Sequence, residues 1–168
     1  MHDFNGDGHP DIAALVAQEV EAVYLFLNDG KGVFTQKMVF QGHPLYGHSS
    51  FELTDFNGDG RPDFVVTNGD NGEYPSPPKS YHGIRVYLNR GGMNYEKSLF
   101  QPLNGAFRAL ARDYDVDGDG DSGLALSNYT YGPDKAIFVP DFLMKTWERS
   151  GPPVMILYNT LHSKQAKR

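Results

Sequence analysis

Phe51-Glu-Leu-Thr-Asp-Phe-Asn-Gly-Asp-Gly-Arg-Pro-Asp63-Phe-Val-Val-Thr67 is the stretch on which the fold turns. Two short β-favouring runs, residues 51–54 and 64–67, enclose a loop with oxygen-bearing side chains at Asp55, Asn57, Asp59 and Asp63. The loop recurs. Asp3-Phe-Asn-Gly-Asp-Gly-His-Pro-Asp11 precedes it, and Asp115-Val-Asp-Gly-Asp-Gly-Asp-Ser-Gly123 follows, with starts 52 and 60 residues apart. That period lies in the range of propeller blades and related arrays.

Working outward, each loop leads into an apolar run (residues 12–17, 64–67 and 124–127) and then a β-rich segment ending in Asn28, Asn89 or Asn159. Glycine-rich turns at residues 29–32 and 90–92 lead to further runs at 33–40 and 94–100, and residues 107–111 precede the third loop. Such runs, bounded by Gly, Asn and Asp, read as antiparallel strands, and no window carries a helical period. The fold class is all-β, about three four-stranded antiparallel units whose period is that of β-propeller blades and other arrays; as blades they would make an incomplete β-propeller. The expected blades are residues 1–40 (lacking a first strand), 48–100, and 106–160 (lacking a fourth). The chain is thus expected to be part of a larger propeller, with further blades outside it or self-association as the ways to complete a ring.

The charge follows the same repeat. Eleven of the 21 acidic residues of this 168-residue chain fall in the three loop regions (Asp113 included), and the formal charge is −6. Clustered carboxylates repel unless a cation sits between them. No basic stripe supports a nucleic-acid partner. No apolar run approaches the 18 residues of a membrane-spanning helix. The absence of Cys excludes thiolate metal sites and disulfides. The first residues are polar, unlike a signal peptide.

In the first two loops, Asp3, Asn5, Asp7 and Asp11, and Asp55, Asn57, Asp59 and Asp63, offer hard oxygen ligands. His9 and Arg61 would add backbone carbonyls. Gly8 and Gly60 permit the sharp bend. This number of oxygens suits Ca²⁺ better than Mg²⁺ or Zn²⁺. An EF-hand is excluded, because Ala14, Val66 and Leu126 stand where its bidentate Glu would be, and the flanks are strands. The alternative is a set of solvated Asx turns without metal, but turn chemistry alone does not demand Asp at four positions.

The run from Phe51, its period, and the segment Asn104-Gly-Ala-Phe-Arg-Ala-Leu-Ala-Arg-Asp-Tyr-Asp-Val-Asp-Gly-Asp-Gly120 resemble the FG-GAP/VCBS repeat over nearly the whole chain. The resemblance implies integrin-like propeller blades with Ca²⁺ in the loop between a blade's first two strands. Carried over, it implies a third site at Asp115, Asp117 and Asp119, with the Asp121 carbonyl. Gly123 replaces the last carboxylate there, so two well-formed sites and a weaker third are expected. Three Ca²⁺ would cancel the formal charge.

Blade topology puts the longer loops at the end opposite the acidic ones. Their aromatic and imidazole residues, His43, Tyr46, His48, Tyr74, Tyr81, His82, Tyr129, Tyr131 and Trp147, are the candidate ligand face. The resemblance implies a calcium-binding, non-enzymatic adhesion or binding module for a protein or glycan. Extracellular modules bind Ca²⁺ at about 10⁻⁴–10⁻³ M, which places it outside the cytosol, at the cell surface or in the periplasm. The alternative is part of a propeller-type polysaccharide lyase or other carbohydrate-active enzyme. His43, His48, Tyr81, His82 and Arg85 could be drafted for that, but their spacing carries no catalytic signature.

Overall fold

The computed structural model describes residues 1–17, 20–69, 81–103, 105–112, 123–128 and 154–158. Its strands are β1 (Ile12–Val16), β2 (Ala22–Asn28), β3 (Phe34–Gln41), β4 (His48–Thr54), β5 (Asp63–Asn68), β6 (Gly83–Asn89), β7 (Tyr95–Pro102), β8 (Ala106–Arg112), β9 (Gly123–Asn128) and β10 (Val154–Leu157). Among the described residues they form three antiparallel sheets, ordered β1-β2-β3, β4-β5-β6-β7 and β8-β9-β10. The protein is all-β, and the strands fall on the runs that side-chain pattern marked out. A 3₁₀ turn, Pro44–Tyr46, links the first sheet to the second.

The central sheet is covered on both faces, so every residue of β5 and β6 is buried. Alternation along a strand divides those residues between two cores. Phe64, Val66, Tyr87 and Tyr95 meet Val23, Leu25 and Phe40 of the first sheet. Val65, Ile84, Val86 and Leu88 meet Ala106, Ala109, Ala111, Leu124 and Leu126 of the third. The first core is aromatic: Phe40 stacks on Tyr87 with centroids 3.8 Å apart, and Phe64 meets Tyr95 edge-on at 4.9 Å. The second is built of small and branched residues, which lets β8 approach closely. Gly69 lies so near it that a Cβ there would sit 2.4 Å from the Ala106 carbonyl oxygen.

The far faces of the outer sheets are less covered. Ile12 and Val16 on β1, and Leu110, Val154 and Ile156 on the third sheet, are each at least 39% exposed.

Pairing also defines two ends. Thr54 pairs with Asp63, and Asn89 with Tyr95, at the acidic-loop end of the central sheet. His48, Asn68, Gly83 and Pro102 align at the other.

Candidate functional site

The first two acidic loops wrap in the same way. The Asp3 carboxylate accepts the N–H groups of Gly6, Asp7 and Gly8 at 2.8, 3.2 and 2.8 Å. Asp55 accepts those of Asp59 and Gly60 at 2.9 and 2.7 Å. Asn5 Oδ1 and Asn57 Oδ1 accept from Asp7 and Asp59, whose own carboxylates accept from His9 and Arg61. Gly8 and Gly60 take φ of 86° and 83°, a conformation in which a side chain would be strained. The geometry is therefore a nest of Asx turns with carboxylates at its mouth.

Asp11 and Asp63 behave differently from the mouth residues. Both are fully buried. Asp63 Oδ2 accepts the Phe56 N–H at 2.9 Å and Oδ1 the Asn89 N–H at 2.8 Å. Asp11 repeats this with Phe4 at 2.9 Å and Asn28 at 2.8 Å. Each carboxylate thus ties the loop's start to the end of the next-but-one strand. The recurrent strand-terminal Asn is explained too: Asn28 and Asn89 donate side-chain N–H to the Pro10 and Pro62 carbonyls.

Electrostatics separates the same groups. The backbone N–H of Gly8 first, then those of Gly6 and Asp7, hold Asp3 below the ordinary carboxylate value. The Asn57 side chain, then Arg61, lowers Asp59. Burial raises Asp63, against the downward pull of its two N–H donors.

The donor set suits a hard cation. Asp3, Asn5 and Asp7, and Asp55, Asn57 and Asp59, are oxygen-only and cluster at the loop mouths. In the present geometry these oxygens accept the loop's own N–H groups. Among the described residues no three His, Asp or Glu side chains converge as a ready-made metal cluster. Asp115, Asp117, Asp119 and Asp121 lie outside the described residues, as do Tyr74, Tyr129, Tyr131 and Trp147.

At the opposite end, His43, Tyr46 and Tyr81 come together around a groove of about 580 Å³. The sequence pointed to Arg85 only beside His43 and Tyr81 in the carbohydrate-active alternative, and to Lys97 and Phe100 not at all; all three line the same groove. The Arg85 guanidinium lies between two rings, 3.7 Å from the Tyr46 centroid and 4.1 Å from that of Phe100, and Nη1 donates to the Tyr81 carbonyl at 3.1 Å. Burial pulls its pKa below the ordinary arginine value, against the upward pull of Tyr46. The sequence signal was an arginine inside the apolar run Ile84-Arg-Val-Tyr-Leu88.

His48 and His82, expected on the ligand face, are buried. His48 is fully enclosed: Glu21 Oε2 accepts its backbone N–H at 2.6 Å and lies 3.2 Å from its Nδ1. Glu21, unremarked in the sequence, is itself fully buried with φ of 47°, and its carbonyl accepts from Gly42. It anchors the linker that carries the 3₁₀ turn. His82 Nδ1 accepts the Gly105 N–H at 3.3 Å. Both histidines hold chain segments in place, inside rather than on the surface.

Compared with known proteins, residues 3–66 and 55–122 match the FG-GAP-like repeat. No curated protein and no solved structure matches the chain. Two overlapping matches that cover most of the sequence, on three antiparallel sheets, make the chain a member of the FG-GAP-like repeat family.

Proposed function

We propose that this chain is a calcium-ordered segment of a β-propeller that serves as a non-enzymatic binding module outside the cytosol, for a protein or glycan ligand. The three sheets are consecutive blades, and the exposed apolar side chains on the far faces of the outer sheets are where neighbouring blades, or a second copy, would pack. The observation that carries the calcium reading is the matched wrapping of the two loops, whose mouths gather exposed oxygens while a buried Asp secures each base.

Asp3, Asn5, Asp7 and Asp55, Asn57, Asp59 would hold the ion, with the His9 and Arg61 carbonyls. Bound Ca²⁺ supplies positive charge that cancels carboxylate repulsion and stiffens each loop. Asp11 and Asp63 already bind two N–H groups each, so their part is to hold the loop closed and to offer a remaining lone pair. The same residues in the third repeat are Asp115, Asp117, Asp119 and Asp121, a weaker site without a carboxylate at Gly123.

Calorimetric melting against Ca²⁺, with Mg²⁺ as control, tests this. A rise at millimolar Ca²⁺ that chelator reverses is expected. No rise with Ca²⁺, or an equal rise with Mg²⁺, sinks the calcium reading.

A further inference from the structure

We propose that the groove between the Pro44–Tyr46 turn and strands β6 and β7 binds the carboxylate of an acidic saccharide, with Arg85 and Lys97 as the cationic floor and rim and Tyr81 as the stacking wall. The inference names a ligand class for the binding-module reading and rests on it. It is independent of calcium, because the groove lies at the other end of the sheet from Asp55–Asp63.

The parity of β7 comes first. Lys97 and Phe100 are three residues apart and would point to opposite faces of a regular strand. A bulge between Val86 and Tyr87 pairs Tyr87 with Lys97 and Arg85 with Phe100, which places both on the Arg85 face. In the first sheet the bulge falls between Val23 and Tyr24, two residues further from the strand-terminal Asn. Both sheets thus carry a bulge in this strand pair, and in the central sheet its position sets which side chains face the groove, as bulges beside functional sites do.

The charge comes second. Arg85 is 2% exposed, yet among the described residues no carboxylate forms an ion pair with it. Tyr46 and Phe100 hold the guanidinium plane from both sides, and the Tyr81 carbonyl holds one nitrogen. The cation is therefore pre-oriented and cannot swing out to solvent. Exposed Lys97 adds a second positive charge, and exposed His43 stands on the far wall. Of the nearby carboxylates among the described residues, Glu96 is engaged by Arg90 at 2.8 Å, while buried Glu21 lies against His48 and also favours the charged form of Arg85 without forming an ion pair with it. Among the described residues no carboxylate lines the groove, so an anion there would meet Arg85 and Lys97 directly.

Shape decides among anions. The volume of about 580 Å³ is that of a small-molecule site, but the groove is open on one side. An open groove leaves part of its occupant in water, which suits a hydroxylated ring better than an apolar aromatic acid. Tyr81 is 51% exposed and sits edge-on to Tyr46 with centroids 6.1 Å apart, leaving a ring surface for the C–H face of a sugar.

The test is a titration of the whole chain in chelator with trigalacturonate, its methyl ester and benzoate, followed by calorimetry. Trigalacturonate binds, and the neutral ester binds at least about tenfold more weakly. Lys97→Gln and Tyr81→Ala, both surface changes, each weaken the acid by about tenfold while melting stays within a few degrees. Arg85→Gln abolishes binding, and its melting curve reports whether the fold survives. Equal binding of acid and ester overturns the charge assignment and leaves a glycan-binding module. Benzoate displacing the trimer at equal concentration overturns the saccharide assignment. No binding of either oligosaccharide overturns the proposal and leaves the module reading with a protein or another glycan as its ligand, whereas the calcium reading stands or falls by its own melting experiment.

Discussion

Asp63 grips Asn89: its Oδ1 accepts the Asn89 backbone N–H at 2.8 Å from 26 residues away, while Oδ2 holds Phe56 at the start of the acidic loop. Asp11 makes the same bond to Asn28 at 2.8 Å. Replacing Asp63 by Ala orphans two backbone donors, each costing about 1–3 kcal/mol. We expect Asp63→Ala to lose about 2–4 kcal/mol in a chelated sample, measured by urea unfolding. Asp59→Ala, at the loop mouth, should lose less than about 1 kcal/mol under the same conditions. Equal losses would show that the buried Asp is no clamp. The third repeat has Gly123 here and cannot make the bond.

The joint between the second and third sheets depends on close approach. At Gly69 an added methyl meets the backbone of Ala106, which cannot rotate away. Gly69→Ala should therefore cost more than about 2 kcal/mol, against the few tenths expected at an open strand end. A midpoint unchanged in denaturant would mean that β8 sits further off.

Hydroxyl groups pin the same joint. Thr67 Oγ1 lies 2.9 Å from the Phe107 carbonyl and accepts the Ser50 N–H at 3.1 Å; Ser49 Oγ reaches that carbonyl at 2.6 Å. Thr67→Val keeps the shape and removes these two Thr67 bonds while leaving that of Ser49, for a loss of about 1–3 kcal/mol. The Glu52–Arg112 pair crosses nearby at 3.4 Å, but Arg112 is 61% exposed. Arg112→Ala should change stability by less than about 0.5 kcal/mol. The reverse order of effects would move the joint from hydroxyls to charge.

Acid and alkali should unfold the metal-free chain for separate reasons. Asp3, Asp29 and Asp59 are held below the ordinary carboxylate value, Asp29 chiefly by the Lys31 N–H. Their stabilisation is present above the unfolded value of about 3.9 and is lost as pH falls through the folded ones. Asp63 is raised and works the other way, its contribution lost as pH rises. Three against one, melting temperature should drop below about pH 4. At the other extreme, burial pushes the Tyr87 hydroxyl up to about 12 and raises Tyr95 as well. Both stabilise below the unfolded tyrosine value near 10, so stability declines as pH rises from there. Absorbance at 295 nm should show these two phenols ionising together with unfolding; ionisation of every tyrosine before unfolding would contradict their burial.

The acidic repeats, the all-β character and the strand positions were legible in the amino-acid sequence because each is local. A strand declares itself by its β-branched and aromatic content, and a loop by Gly and Asp at fixed offsets. His48 and His82 looked like surface residues because they adjoin polar loops, and sequence does not say which sheet will cover which face. Only stacking of the first sheet on the second encloses His48 against Glu21, 27 residues back. The groove needed still more. A bulge changes the parity of β7 without any mark in composition, and it alone puts Lys97 and Phe100 beside Arg85. Local chemistry therefore determined the repeat and its acidic loops; tertiary packing decided which polar residues are pillars and which can meet a ligand.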